Sequence, residues 1–257
     1  MRLSGLFVYP IKSCAGLAVD GWDLDERGLA GDRSYMVVDD RGVFLTQREA
    51  PQLATVRPEP GERMGVSTPA GSAVARPGVA REVSVWEHDG PALDCGDEVA
   101  ELLTAHLGRA CRLVTVSPDH DRRTSRGDGR VGFADGYPLL IATEASLADL
   151  NARMPVPLPM NRFRPNLVVA GTEAFEEDQW QHIEVAGVPL DLVKPCARCA
   201  ITRVDQATGL RGDGEPLRTL GTFRKAKGGV MFGWNAVHRT LGRLRVGDDV
   251  RVVERRS

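Results

Sequence analysis

Short apolar segments, interrupted at close intervals by glycine, proline and aspartate, make up most of this chain of 257 residues. Residues 33–38 and 43–46 flank the turn-forming residues 39–42 and predict a β-hairpin. Segments of the same style lie at 3–9, 167–171, 183–188, 189–193, 243–246 and 250–253. Strands this short, separated by turns this frequent, predict a mainly β protein with barrel-like, predominantly antiparallel sheets.

Two segments have helical periodicity instead. Asp97–Leu107 carries apolar residues at 3.6-residue spacing, and Gly108 follows as a C-terminal stop. Thr143 is a suitable N-cap for a second helix that begins at Glu144 and ends near Arg153. We expect both helices to be packing elements.

The stretch 117–130 is rich in charge, proline and glycine and contains almost no apolar residue. That composition predicts a solvated linker or loop. We therefore expect an N-terminal β-rich domain at 1–116, a linker at 117–130 and a C-terminal β-barrel domain at 131–257.

Charge, hydropathy and cysteine usage exclude several classes of protein. The net charge is −2, from 33 basic and 35 acidic residues, whereas a general nucleic-acid binder carries a basic excess. The sequence has no apolar run long enough to span a membrane, and its N-terminus does not read as a signal peptide. The cysteines number five and are irregularly spaced, which predicts a reduced, cytoplasmic protein.

The segment Lys194–Cys199 (KPCARC) is the strongest local signal for chemistry. It fits a structural zinc site poorly, because no second pair of ligands has suitable spacing. It also fits a redox pair poorly, because residues 200–204 read as a strand rather than a helix. Two interpretations remain open: inert cysteines, or one thiolate ligand to a metal carried by a separate cofactor, with Arg198 favouring the thiolate.

Two further segments carry groups that suit an anion or a polar heterocycle. Asn161–Asn166 (NRFRPN) places two arginines and two amides before an apolar strand. Tyr9–Cys14 (YPIKSC) and Gly31–Arg33 (GDR) supply an amine, a hydroxyl and a guanidinium that suit a phosphate. Each segment is equally compatible with an ordinary surface loop.

Taken in order along the chain, these segments resemble the MOSC family (molybdenum cofactor sulfurase C-terminal domain) together with its N-terminal β-barrel domain. Within that family the sequence is most similar to the amidoxime-reducing enzymes of bacteria and mitochondria. The resemblance also rests on TQR at 46–48, EASLADLN at 144–151, VD at 204–205, TG at 208–209 and VGD at 246–248.

The resemblance implies a molybdenum cofactor, in which a phosphorylated pterin binds the metal through its dithiolene. It implies Cys199 as the catalytic thiolate ligand to the metal. The positions that match cofactor-contacting residues of the family are Lys12, Ser13 and Arg33 for the phosphate, Arg164, Asn166 and Arg198 around the pterin, and the backbone of Gly136 and Tyr137. Relatives carry small hydroxyl residues near Gly136 and Tyr137, and some have serine where Ala197 stands here.

The activity that the resemblance implies is reduction of N-oxygenated substrates by oxygen-atom abstraction at molybdenum. The chain shows no iron–sulfur cysteine run and no flavin or nicotinamide motif, so we expect a separate ferredoxin-like or flavoprotein electron donor. We expect neither nucleic acid nor a membrane as a partner. The alternative function is a carrier of the molybdenum cofactor, or of a persulfide on Cys199, without turnover.

Overall fold

The computed structural model describes residues 1–256 and is mainly β, as the sequence predicts. In chain order the strands are β1 (Arg2–Val8), β2 (Leu17–Ala18), β3 (Gly21–Asp25), β4 (Gly28–Leu29), β5 (Tyr35–Val38), β6 (Arg57–Glu59), β7 (Gly65–Thr68), β8 (Gly71–Val74), β9 (Ala80–Val85), β10 (His88–Asp94), β11 (Arg112–Val116), β12 (Arg122–Arg123), β13 (Arg130–Val131), β14 (Leu139–Thr143), β15 (Leu167–Ala170), β16 (Trp180–Val185), β17 (Val188–Arg198), β18 (Lys225–Ala226), β19 (Gly229–His238), β20 (Gly242–Arg245) and β21 (Val250–Arg255). The α-helices are α1 (Asp97–Leu107), α2 (Glu144–Ala152) and α3 (Leu217–Phe223), and short 3-10 helices lie at Pro51–Thr55, Met160–Arg162, Glu176–Gln179 and Ala200–Arg203.

The largest sheet has the strand order β2-β1-β15-β14-β19-β17-β16-β21, with β18 attached to β19. A bridge between Arg2 and Asp249 connects β1 back to the residue before β21, so the sheet curls into a barrel. The barrel interior is an apolar core that includes Leu6, Ile141 and Trp180, all fully buried. Most strand pairs are antiparallel, whereas β14 and β15 are parallel, so the loops that precede both lie at the same end.

A second sheet, ordered β5-β11-β10-β9, forms the centre of the N-terminal half. Helix α1 packs beside β11 and the small β6-β7-β8 sheet, and Val99 and Leu103 are buried in the shared core. Because β1 pairs with β15 and β3 pairs with β20, the first strands of the chain extend the C-terminal sheets. The division at 1–116 and 131–257 stays a prediction.

Both predicted helices are present. Helix α1 spans Asp97–Leu107, and Gly108 ends it with a left-handed φ of 67°. Thr143 caps α2, because its hydroxyl accepts a hydrogen bond from the Ser146 amide at 3.2 Å.

Most residues of the stretch 117–130 are exposed, as its composition predicts, but the stretch is not a simple loop. Strands β12 and β13 pair within and beside it, and His120 is buried with 7% exposure. Its Arg122 donates to the carbonyl oxygens of Ala134 and Asp135, so this segment holds another loop in place.

The prediction of a strand at 200–204 is wrong. Ala200–Arg203 forms a 3-10 helix that begins directly after Cys199, and Val204 follows in extended conformation. Buried Arg162 donates to the carbonyl oxygens of Thr202 (3.0 Å) and Arg203 (2.9 Å), which stabilises this turn. The β-branched residues of the segment favour a strand locally, but these tertiary hydrogen bonds decide its conformation.

None of the helices in the described chain is long and apolar enough to cross a membrane.

Candidate functional site

One cavity lies where loops from both halves of the chain meet. The end of β1 adjoins the start of β15, and the loops before β14 and β15 lie at the same end of the sheet. Strand β17 reaches this place after two register shifts against β19, which bend its last residues. Every residue that the resemblance points to lines this cavity: Lys12, Ser13, Arg33, Gly136, Tyr137, Arg164, Asn166, Arg198 and Cys199.

Lys12 is a buried cation at the floor of the cavity. Its Nζ donates to the carbonyl oxygen of Phe133 at 2.8 Å and forms an ion pair with the Asp135 carboxylate. Burial lowers the pKa of the Lys12 ammonium, and Asp135 offsets part of that effect. The side chain of Asp135 is itself 60% exposed, so this ion pair joins the buried floor to the solvent-facing rim.

Backbone strain is concentrated in this site. Within residues 1–256, six non-glycine residues have positive φ, and Ser13 (64°), Arg33 (48°) and Arg164 (54°) are three of them. Such conformations are unfavourable for residues with a Cβ and persist where the surrounding structure enforces them. Here the loops direct three polar side chains into one cavity.

Tyr9 organises two of the guanidinium groups. Arg33 and Arg164 each lie 4.3 Å from the centroid of its ring. The Tyr9 hydroxyl donates to the carbonyl oxygen of Pro165 at 3.1 Å, and burial raises the pKa of Tyr9 to about 12. The phenol therefore stays neutral and serves as an aromatic platform for both cations.

Asn166 acts as a positioning residue for Arg33. Its Oδ1 accepts from Arg33 Nη1 (3.1 Å) and from the Leu140 amide (3.2 Å). Its Nδ2 donates to the carbonyl oxygen of Phe7 and to Asp32 Oδ1, both at 3.1 Å. Asp32 in turn accepts from Arg33 Nη1 at 2.5 Å. The Asn166 amide lines the cavity, but its hydrogen-bonding groups are already engaged by the protein.

Arg164 and Arg198 keep unused donors in the cavity wall. Over residues 1–256 neither guanidinium has a carboxylate partner, and both Arg164 Nη2 and Arg198 Nε are buried without a hydrogen-bond acceptor. Burial lowers the pKa of Arg164 to about 10, which leaves it charged at neutral pH. Buried cations with free N–H groups are costly unless an anion satisfies them. The cavity is therefore suited to an anionic, acceptor-rich ligand.

The two cysteines of the KPCARC segment have different partners. Arg198 Nη1 donates to Cys196 Sγ at 2.8 Å, whereas Arg48 Nη2 donates to Cys199 Sγ at 3.2 Å. The expectation that Arg198 stabilises the Cys199 thiolate is thus corrected, because the guanidinium that hydrogen-bonds this sulfur is that of Arg48. Both sulfurs line the cavity and are partly exposed.

A zinc site is not formed by these cysteines. In the part of the chain that the structure describes, no three histidine, cysteine, aspartate or glutamate side chains come together in a metal-binding group. A metal held by Cys199 would need its other ligands from outside the chain.

Gly136 and Tyr137 line the cavity from the loop before β14. The Tyr137 hydroxyl exchanges a hydrogen bond with Ser125 at 2.9 Å, and a Cβ at Gly136 would meet nothing within 4 Å. This loop is fixed by Arg122, whose Nη2 donates to the Asp135 carbonyl oxygen at 2.7 Å.

Sequence reasoning assigned no role to Asp32, Arg48, Trp86 and Asp135. Asp32 and Arg48 lie inside the GDR and TQR segments, so their position was a usable signal. Asp135 is recognisable only once Lys12 is seen to be buried beside it, and Trp86 only once its indole is seen to donate to Asp135.

Comparison with known proteins finds matches over nearly the whole chain. The family model described as the MOSC N-terminal beta barrel domain matches residues 1–110, and that of the MOSC domain matches residues 128–251. Mitochondrial amidoxime reducing component 2 of Bos taurus is 34% identical, covering 96% of this chain and 82% of the relative. Mitochondrial amidoxime-reducing component 1 of Danio rerio is 34% identical, covering 95% and 82%.

A third relative is a longer protein. Molybdenum cofactor sulfurase of Danio rerio is 29% identical over 93% of this chain, which spans 32% of that protein. With both domain models matched and relatives at 34% identity aligned over nearly the whole chain, the protein belongs to the MOSC domain family.

Proposed function

We propose that this protein binds a molybdenum cofactor and reduces N-hydroxylated compounds with electrons from a separate donor protein. The observation that carries the proposal is the single cavity in which the partly exposed Cys199 sulfur lies among buried cations from distant segments. Similarity to amidoxime reducing components over most of the chain supports the reaction class.

The residues present fit such a cofactor. A phosphorylated pterin dithiolene is anionic and rich in acceptors, and the cavity has two guanidinium nitrogens without acceptors, on Arg164 and Arg198. A soft metal also prefers a thiolate, which Cys199 can provide from the cavity wall. The free guanidinium donors therefore suit the anionic pterin part of the cofactor, and the Cys199 thiol suits its metal.

We assign the residues as the resemblance to the MOSC family implies. Lys12, Ser13 and Arg33 would hold the phosphate, since an amine, a hydroxyl and a guanidinium converge there. Arg164 and Arg198 would donate to the pterin, while Asn166 keeps Arg33 in place. Cys199 would be the protein ligand to the metal.

When bound, the cofactor supplies a metal centre that accepts the oxygen of an N–O bond and undergoes two-electron redox chemistry. Arg48 Nη2 donates to Cys199 Sγ at 3.2 Å, which helps to fix this sulfur in position. Asp135 accepts from Lys12 and from Trp86 Nε1 (3.2 Å), which fixes a carboxylate at the solvent-facing rim. We propose a ferredoxin-like protein or a flavoprotein as the donor, because two electrons per turnover must come from outside this chain.

The experiment uses protein produced in a host that makes the cofactor. Loaded protein with a chemical reductant is expected to convert benzamidoxime to benzamidine, with one molybdenum per chain by mass spectrometry. Bound molybdenum without any turnover would contradict the proposed activity.

Similarity to molybdenum cofactor sulfurase favours one second candidate, a carrier of the cofactor or of a persulfide on Cys199. Transfer of sulfane sulfur from a donor protein's persulfide to Cys199 would leave Cys199 as a persulfide and the donor as a thiol, in protein that contains no molybdenum. Intact-mass analysis of the protein from a cofactor-deficient host distinguishes the two, since the reductase is expected to carry an unmodified thiol there.

A further inference from the structure

Trp86 lies in an unusual turn beside the cavity, where its indole contacts the lining residue Asp135. It is the first residue of the two-residue loop that joins β9 to β10, where Val85 pairs with His88. Its φ is 55°, a value that glycine, asparagine or aspartate normally adopts in such a loop. A bulky aromatic residue here is strained, and strained backbone conformations cluster at active sites and ligand-binding segments.

The indole is fixed from several directions. Its Nε1 donates to Asp135 Oδ1 at 3.2 Å, and the Phe44 ring lies 5.0 Å away, centroid to centroid. The Arg48 guanidinium lies 4.9 Å from the indole ring, and the same Arg48 donates to Cys199 Sγ. The Arg48 side chain therefore lies between the Trp86 indole and the Cys199 sulfur.

Despite these contacts Trp86 remains 44% exposed. Among the tryptophans, Trp180 and Trp234 are buried, and Trp22 packs against the barrel core. Trp86 is therefore a fixed, partly exposed aromatic side chain beside a cavity that is lined by cationic and polar groups together with Tyr137 and Phe163. Aromatic surfaces of this kind bind flat conjugated groups by stacking.

We propose that Trp86 contacts the substrate and determines specificity, by stacking against the flat conjugated part of an aromatic N-hydroxylated amidine or base. This inference rests on the proposed function and adds a preference to it. Substrates that carry a flat ring on the N-hydroxylated amidine carbon, or have the N–OH group on a flat base, use both the cavity and the indole, whereas small aliphatic ones use the cavity alone.

The test compares benzamidoxime with acetamidoxime in cofactor-loaded wild type, Trp86→Ala and Trp86→Phe. Loss of one stacking partner is expected to lower kcat/KM for benzamidoxime about two- to tenfold in Trp86→Ala and less in Trp86→Phe. For acetamidoxime kcat/KM is expected to change less than twofold. Glu87→Gln, the matched control in the same turn, is expected to retain wild-type values for both substrates.

A second readout does not depend on turnover. Calorimetric titration of oxidised, loaded protein with benzamidoxime, without reductant, is expected to show Kd weakened in Trp86→Ala by the same factor. Equal losses for both substrates, or none for benzamidoxime, would overturn the inference. If loaded wild type reduces neither substrate, the proposed function fails, while the calorimetric difference still decides whether Trp86 binds the ring.

Discussion

Arg48 Nη2 donates to Cys199 Sγ across 3.2 Å, although the two residues are 151 positions apart. Arg48 follows β5 in the N-terminal half, and Cys199 follows β17 of the barrel. The sulfur of the proposed metal ligand thus has a hydrogen-bond donor from the other half of the chain, and both halves contribute to one site.

The first prediction concerns this contact. Arg48→Gln is expected to lower kcat/KM of the loaded protein tenfold or more, because charge-assisted hydrogen bonds contribute about 1.5–3 kcal/mol. Arg48→Lys keeps the charge and is expected to retain more activity. Steady-state kinetics at equal molybdenum content measure the effect, with exposed Arg57→Gln as the control. Wild-type kinetics in Arg48→Gln would show that the contact is incidental.

The second prediction concerns the buried guanidinium of Arg164. It donates to the Cys14 carbonyl oxygen (2.7 Å) and Gln206 Oε1 (3.1 Å) but has no anionic partner within residues 1–256. Arg164→Met is expected to reduce bound molybdenum at least tenfold while changing the free energy of unfolding of the apoprotein by only about 1 kcal/mol, because removal of a buried charge offsets the lost hydrogen bonds. Metal analysis and urea denaturation test this, with exposed Arg63→Met as the control. Full molybdenum content would refute it.

The third prediction is that Asn166, unlike Arg164, contributes strongly to the stability of the apoprotein. Removal of the Asn166 side chain leaves Asp32 and two backbone groups without their buried partner. Asn166→Ala is therefore expected to destabilise the apoprotein by about 2–4 kcal/mol. Asn235→Ala, at a partly exposed position of the same cavity, is expected to change stability by about 0.5 kcal/mol or less. Equal stabilities of the two variants in urea would show that Asn166 does not position the site.

His120, which is buried, and His238, which is partly buried, predict a pH dependence of stability. Burial lowers the pKa of His120 and of His238 below 6.5. The unfolded chain then binds more protons than the folded protein just below pH 6.5, so each histidine makes the free energy of unfolding fall on acidification, by up to about 1.4 kcal/mol per pH unit. His238→Gln is expected to show a shallower decline than wild type between pH 7 and 5. Parallel curves in urea denaturation would contradict this.

The strand pattern, the bounds of α1 and the Thr143 cap were all predictable from the sequence, because local periodicity and capping chemistry determine them. The ordered motifs also identified the residues that line the cavity. The resemblance supplied their roles, which local patterns could not.

Long-range contacts account for what the sequence did not predict. Residues 200–203 form a 3-10 helix because Arg162 binds their carbonyl oxygens, and Arg122 docks on the 134–135 loop despite lying in a polar stretch. Arg48 and Trp86 become relevant only after folding brings the N-terminal half over the barrel. No local pattern encodes these pairings.

The most direct test of the account is the molybdenum content of Cys199→Ser after expression in a cofactor-competent host, measured by mass spectrometry beside wild type and the matched Cys196→Ser. We expect loss of molybdenum in Cys199→Ser, retention in Cys196→Ser and an unchanged Tm of both apoproteins. Full molybdenum content in Cys199→Ser would contradict it.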